Sequence, residues 1–288
     1  YGTITRKEMT SAISHISSED FLNIGSSDPM MQIQGRVAGL TVANEGAGDP
    51  NQMASLQIRG ISSREAGSSP LIVIDGVPGG SMENLNATDI ESIDVLKDGA
   101  AAAIYGARGG SGVILITTKK SKKDGIIRTS YSGYASIDYV KHDLKVLSAD
   151  EYRDFRVAEG LGVDHGYSTN WLKEISRNAF TQSHTLSLSG GTLQNNYRAS
   201  VNYRDAEGID LRSGREEYGG RLTFTHINRS KLFEFTVNVA PRVAKKKWSS
   251  WSVFDVALIA NPTMPIMDPK DEELYMDLYE DEAGWNPV

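Results

Sequence analysis

"NYRASVNYR", residues 196–204, alternates without a break. Tyr197, Ala199, Val201 and Tyr203 fall on one side, and Asn196, Arg198, Ser200, Asn202 and Arg204 on the other. Successive side chains of a strand point to opposite faces, so this stretch is a strand with one apolar and one polar surface. A soluble β-sandwich and a membrane barrel both show this period. They differ in which face is buried, and that choice decides the fold.

Neighbouring stretches repeat the pattern. "LFEFTVNVA" (232–240) sets Phe233, Phe235, Val237 and Val239 against Glu234, Thr236 and Asn238. "SYSGYASIDYV" (130–140), "TQSHTLSLS" (181–189) and "YGGRLTFTHI" (218–227) alternate less strictly. Each supplies about 10 residues, the length a tilted strand needs to cross a bilayer. The polar faces carry Arg198, Arg204, Arg221 and Glu234, while several apolar faces end in tyrosine. Lumen-facing polar groups with aromatic girdles at the lipid edge characterise membrane barrels. The connectors also alternate in length: a long one over 141–180, a short "GGTLQN", a longer "DAEGIDLRSGREE", and a tight "NRS". Long outer loops alternating with short turns favour the barrel over a soluble α/β domain packed on a β-sandwich. Within the first connector, Ser148 and Glu151 stand at capping-box spacing and predict a helix start.

The chain changes character at "TTKKSKKDG" (117–125). Before this seam, short apolar stretches bounded by turn residues predict strands at 55–60, 70–76, 92–97 and 112–119. Helices are expected at 31–38 and 99–105. The expected organisation is therefore a small mixed α/β domain over 1–124, followed by antiparallel barrel strands and outer loops over 125–288.

"VLKDGAAAAIYGARGGSGVILITTKK" (95–120) looks at first like a phosphate-binding loop. Such loops run strand, glycine turn, helix, so that a helix N-terminus faces the anion. Here the helix precedes the glycines and a strand follows them, so they meet a helix C-terminus, whose partial charge repels phosphate. Gly106 is read as the left-handed residue ending that helix, and the loop as architecture.

Composition excludes further classes. The chain has no cysteine, so neither a disulfide framework nor thiolate chemistry is available. No apolar run reaches the roughly 20 residues of a membrane helix. The net charge of −7 resides in "DPKDEELYMDLYEDE" (268–282), read as a solvated loop, and no basic stripe suggests nucleic acid. The opening "YGTITRKEMTSAISHISSEDF" lacks the apolar core and cleavage site of a signal peptide, so none is expected within it. His15, His142, His165, His184 and His226 lack ligand spacing, and no metal site or cofactor is expected. Asp75 in "IDG" is read as a turn residue with Gly76 supplying a positive φ. Ser111 lacks the strand-to-helix elbow of a nucleophile, so no catalytic residue and no enzyme are expected.

At this point the residues resemble a family. "LKDGAAAAIYGARGGSGVILITTKK" is similar to the end of the plug domain of SusC-like TonB-dependent outer-membrane transporters. "IQGRVAGLTV", "LQIRGISS", "PLIVIDGVP" and "ATDIESIDVLKDGAAAAIYG" resemble successive plug motifs in order. "YGTITRKEMTSAIS" resembles the segment just after the TonB box. "SLSGGTLQNNYRASVNYRDAEGI" is similar to the second and third barrel strands, and "ALIANPTMPI" to a later outer-loop motif. Five strands cannot close a barrel or hide their edges, so the chain is expected to be a piece of a longer one.

The resemblance implies TonB-dependent import of an oligosaccharide or peptide across the outer membrane of a Gram-negative bacterium. TonB would act through a box upstream of Tyr1, a SusD-like lipoprotein would form the lid, and outer-membrane lipid would surround the barrel. A siderophore or cobalamin receptor is the alternative. It also implies that the loops after "IRG" and "IDG" face outward, with Ser62, Ser63, Arg64, Glu65, Gly79, Gly80, Ser81 and Met82 as substrate contacts. Trp171, Trp248 and Trp251, in expected outer loops, are open to three roles: stacking on cargo, meeting the lid, or anchoring at the interface.

Overall fold

A computed structural model describes residues 13–21, 28–44, 46, 48–58, 69–97, 103–141, 145–249, 253–275 and 286–288. The strands before the seam are β1 (Ile13–Ser17), β2 (Leu40–Ala43), β3 (Ser55–Ile58), β4 (Leu71–Ile74), β5 (Val77–Pro78), β6 (Ile90–Leu96) and β7 (Val113–Thr118). They form a five-stranded sheet in the order β1-β6-β7-β4-β5, with β2 and β3 as a separate antiparallel pair. Only β4 and β7 run parallel in the larger sheet, and β1 lies on its edge. One core joins Met30, Ile33, Ile90, Ile93, Val95, Ile114 and Ile116, all essentially inaccessible to solvent. Asp28 is buried beside this core, where its carboxylate accepts from the backbone N–H groups of Met30 (2.8 Å) and Ala54 (2.7 Å). Burial pushes its pKa up against those two bonds, because desolvation disfavours the charged form.

One helix expectation changes, and residues 99–102 of the other lie outside the described residues. Over 31–38 only the turn Met31–Ile33 is helical, and it is 3-10. Gly35 and Gly39 both take positive φ, which breaks any continuous helix there. The Ala-rich segment reaches the described residues as 3-10 turns over Ala103–Gly109, kinked at Gly106 (φ 64°, ψ −153°). Gly106 is thus a kink with positive φ and an extended ψ, not a left-handed cap. Gly112 (φ 94°) makes a closer approach still, since an added Cβ would lie 2.8 Å from Ile58 Cδ1. The glycine loop thus packs against β3 and the Leu96 carbonyl of β6.

After the seam come β8 (Arg128–Asp138), β9 (Ala179–Gly191), β10 (Asn195–Glu207), β11 (Gly214–Ile227), β12 (Glu234–Val239) and β13 (Arg242–Lys247). All pair antiparallel, in the order β8-β9-β10-β11, with β12 and β13 both on β11. These last two are halves of one crossing: Pro241 lacks the N–H a continuous ladder needs, and its carbonyl accepts from Gly220 N–H at 3.0 Å. A strand of 13 residues, as in β9 and β10, is about 43 Å long, enough to span a bilayer at a tilt.

Burial inverts the soluble pattern. On β9, Thr181, Ser183, Thr185 and Ser187 are buried, while Phe180, Leu186 and Leu188 are exposed. On β10, Ser200 is 4% exposed and Val201 59%. The polar face covers the plug and the apolar face is bare, so the β-sandwich alternative is wrong: its dry interior would bury Val201 and Leu186. Glu234 shares the inward parity of Thr236 and Asn238, and all three are exposed on this edge strand. Pairing runs further than expected at the outer end, where Glu207 faces Gly214, so the third connector shrinks to 208–213. The alternation of connector lengths is correspondingly weaker than the sequence implied.

Above the wall, Ser148 caps α1 (Ala149–Tyr152) with the expected box: its Oγ accepts from Glu151 N–H, and Glu151 Oε2 accepts from Ser148 N–H at 2.8 Å. α2 (Trp171–Glu174) and α3 (Val253–Ile259) share a second core containing Trp171, Leu172, Ile175, Val256 and Met264.

Candidate functional site

The site is the seam between plug and wall, and it is polar throughout. Asn86 caps the turn Ala87–Asp89 by accepting from Thr88 N–H (3.0 Å), and this turn delivers Asp89 to the wall. Asp89, 3% exposed, accepts from Arg198 Nη2 (3.2 Å) and Ser200 Oγ (3.0 Å) on β10. Asn86 Nδ2 and Thr88 Oγ1 reach Thr185 Oγ1 on β9 at 3.4 and 3.5 Å. Lys119 follows β7, donating from its backbone to Asp89 O (2.8 Å) and from Nζ to Thr88 O (2.9 Å). Desolvation, then the charge of Arg198, lowers the Lys119 pKa.

Asp75 does more than turn the chain. Asp75 (φ 48°) and Gly76 (φ 85°) link β4 to β5 as the two-residue turn that Asp-Gly favours. The Asp75 carboxylate accepts from Thr118 N–H (2.8 Å) and Thr118 Oγ1 (2.7 Å) inside the plug. It also accepts from Asn238 Nδ2 (3.2 Å) on the wall, with Arg221 3.9 Å away. Glu83 is a third tether, pairing with Lys246 (3.3 Å) and offering its carbonyl to Arg242. Asn51 is a fourth, donating to Lys247 O at 2.7 Å.

Between these tethers lies a cavity of about 460 Å³, lined from the plug by Leu85–Thr88 and Lys119 and from the wall by Ser183, Asn202, Arg204, Glu217 and Arg242. Glu217 is 1% exposed and is clamped by Arg215 Nε on one oxygen and Arg242 Nη2 on the other.

Ser62, Ser63, Arg64 and Glu65 lie outside the described residues, as does Trp251. The second expected loop is described. Gly79 and Ser81 are exposed, while Gly80 and Met82 are half-buried. Ser81 Oγ caps the next turn by accepting from Glu83 N–H (3.3 Å), and Met82 leans on the plug core. Gly79 (φ 81°) sits under Arg108, whose Nη2 would be 3.2 Å from an added Cβ. Trp171 is 3% exposed and its Nε1 donates to Asn261 O (2.9 Å), so it is core of the module that α2 and α3 share. Trp248 stays exposed, with Lys246 Nζ 5.4 Å from its ring centre. Sequence reasoning missed Asp89, Thr185 and the Arg215–Glu217–Arg242 cluster. The available signal was the inward polar row of β9, which needs a polar partner wherever it is buried.

The outer face shows where lipid ends. His184, Tyr203 and Tyr218 are neighbours across β9, β10 and β11, with ring centres 6.5 and 5.0 Å apart. The next outward row is Gln182, Asp205, Glu216 and Lys245, and Tyr218 Oη donates upward to Glu216 at 2.6 Å. Below lie Leu186, Val201 and Leu222. An aromatic row with its polar atoms turned toward charge and its rings toward an apolar band is a membrane boundary.

A plug sheet tethered by polar bonds inside an inside-out antiparallel wall defines a TonB-dependent receptor, and residues 5–113 match the family model described as TonB-dependent Receptor Plug Domain. The chain belongs to this family, and within it to the SusC-like transporters. It is 31% identical to the TonB-dependent receptor SusC of Bacteroides thetaiotaomicron, over 94% of this chain and 28% of that protein. It superimposes on the RagAB peptide importer in its closed-closed state with a TM-score of 0.79 at 26% identity, covering 93% of this chain and 35% of that one. The ferric citrate transporter FecA shares the fold alone, with a TM-score of 0.56 at 17% identity over 86% of this chain and 34% of its own. The chain therefore spans about a quarter to a third of the length of its relatives.

Proposed function

We propose that the full-length protein containing this chain imports a large nutrient, an oligosaccharide or a peptide, across the outer membrane of a Gram-negative bacterium. Residues 1–124 act as the plug and residues 125–288 as the opening strands and outer loops of the barrel. The outer membrane offers neither nucleotide nor ion gradient, so the work comes from TonB, bound to a box upstream of Tyr1. Ser62, Ser63, Arg64, Glu65, Gly79, Gly80, Ser81 and Met82 are proposed to meet cargo beneath a SusD-like lipoprotein lid. The name of RagAB supports a peptide as one of the two cargo classes.

The observation that carries this reading is the polar docking of the plug on the inner wall through Asp89, Thr88 and Asn86. Thr88 and Thr185 place their hydroxyls 3.5 Å apart across that seam, and residues 1–288 contain no cysteine. In the full-length protein, T88C with T185C allows an oxidised bridge between plug and wall. Uptake of labelled oligosaccharides or peptides should stop on oxidation and return with reductant. Undiminished uptake by the bridged protein would refute plug-gated import.

A further inference from the structure

Arg204 lines the plug–wall cavity and has no hydrogen-bond or ion-pair partner among the described residues. It is 7% exposed, and its Nε and Nη1 are fully buried with no hydrogen bond. Its neighbour across the ladder is Glu217, but both oxygens of that carboxylate are occupied by Arg215 and Arg242. Lys119 approaches the same cavity from the plug. Among the described residues, the charged groups lining the space are thus Lys119, Arg204 and Arg242 against Glu217. Lys119 can shed its proton but a guanidinium does not, so Arg204 and Arg242 keep an excess over Glu217 that neutralisation does not relieve. Water can satisfy the buried N–H groups but cannot balance the charge, and an unpaired buried cation is strongly unfavourable.

We infer that this cavity is an oxyanion site, in which Arg204 holds a carboxylate or phosphate group between the barrel wall and the plug. The planar fork of arginine suits both anions, and the space accommodates either with its waters. Bound there, the anion offsets the wall's cations where the plug docks, so plug retention becomes anion-dependent. The inference is independent of the cargo, and its test does not measure import.

The experiment follows thermal release of the plug in the detergent-solubilised full-length protein. Inorganic phosphate and acetate are titrated separately against chloride at matched ionic strength. A saturable rise in the release temperature is expected with at least one of them, and the more potent identifies the preferred anion. R204Q should weaken the apparent affinity at least tenfold, and R204K, which keeps the charge but loses the fork, should give a smaller loss. If R204Q does not assemble, R204K carries the comparison. A response no greater than that to chloride, or equal responses in wild type and R204K, would overturn the site. So would a density map placing a carboxylate side chain from elsewhere in the full-length chain on Arg204.

Discussion

Removing the Asp89 carboxylate should loosen the plug more than any other single change at the seam. Asp89 is 3% exposed and accepts two wall bonds, while the Arg198 side chain is 13% exposed. D89A strips Arg198 of this partner and leaves its charge buried, with its Nε already unpartnered. Breaking a buried ion pair from one side costs about 3–5 kcal/mol. D89N keeps an acceptor for Ser200 but loses the charge, so it should cost less, about 1.5–3 kcal/mol for a charge-assisted bond. R198A removes the stranded cation, so D89A with R198A should cost less than the sum of the single changes. The coupling should fall within about 0.5–3 kcal/mol, the range for contacting residues. The assay is urea-driven plug release in the full-length protein in micelles, read by protease cleavage of plug residues and fitted linearly against denaturant. A D89A cost below about 1 kcal/mol, or additive single changes, would refute the Asp89–Arg198 latch.

Three further outcomes follow from the wall and the outer loop. V201R, in the apolar band, should destabilise membrane insertion by about 2–4 kcal/mol, whereas D205R, one rung beyond the Tyr203 row, should be near neutral. Equal effects on folding into liposomes would misplace the lipid boundary. W171A should cost about 3–5 kcal/mol locally, exposing the outer-loop module to protease while strand protection is retained; loss of cargo affinity with an intact loop would make Trp171 a binding residue after all. Backbone and side-chain bonds from Ser148 hold the Glu151 pKa below its ordinary 4.5. Since the folded-state pKa is the lower one, this stabilisation is complete above about 4.5 and is lost as pH falls through the depressed value. The protection of α1 amides, taken relative to their intrinsic exchange rates, should therefore fall on acidification in wild type and be less pH-sensitive in E151Q.

What the sequence revealed and what it hid follow from the range of the interactions. The alternation of 196–204 is local, because a strand's period is written in consecutive residues. The capping box at Ser148 is equally local and appears as expected. Which face is buried depends on what the strand encloses, and here the plug burying Ser200 lies some hundred positions earlier, at Asp89. The extra paired residues at Glu207 and Gly214 are polar or small and carry no apolar period, so strand ends were misplaced there. Trp171 looked like a loop residue because its partner, Asn261, is ninety positions away. The helix expected at 31–38 failed for a local reason that was visible: two glycines at Gly35 and Gly39 favour positive φ over helix.

The chemistry of the seam bears on how a plug can be both firmly seated and removable. Ile33, Ile90, Ile93, Val95, Ile114 and Ile116 bury their apolar surface within the plug itself. Toward the wall the plug presents Asn86, Thr88, Asp89, Asp75 and Glu83 instead. Had the contact been apolar, exposing about 1,000 Å² of it would cost about 25 kcal/mol. Hydrogen bonds traded for bonds to water cost only about 0.5–1.5 kcal/mol net apiece, with more for those that carry charge. Such a seam resists thermal escape through the number of its bonds, yet a pull that admits water can break them in sequence. The buried pair at Asp89 is the costliest of these steps, so it should set the force at which the plug yields, and D89N should lower that force while the plug's own core stays folded.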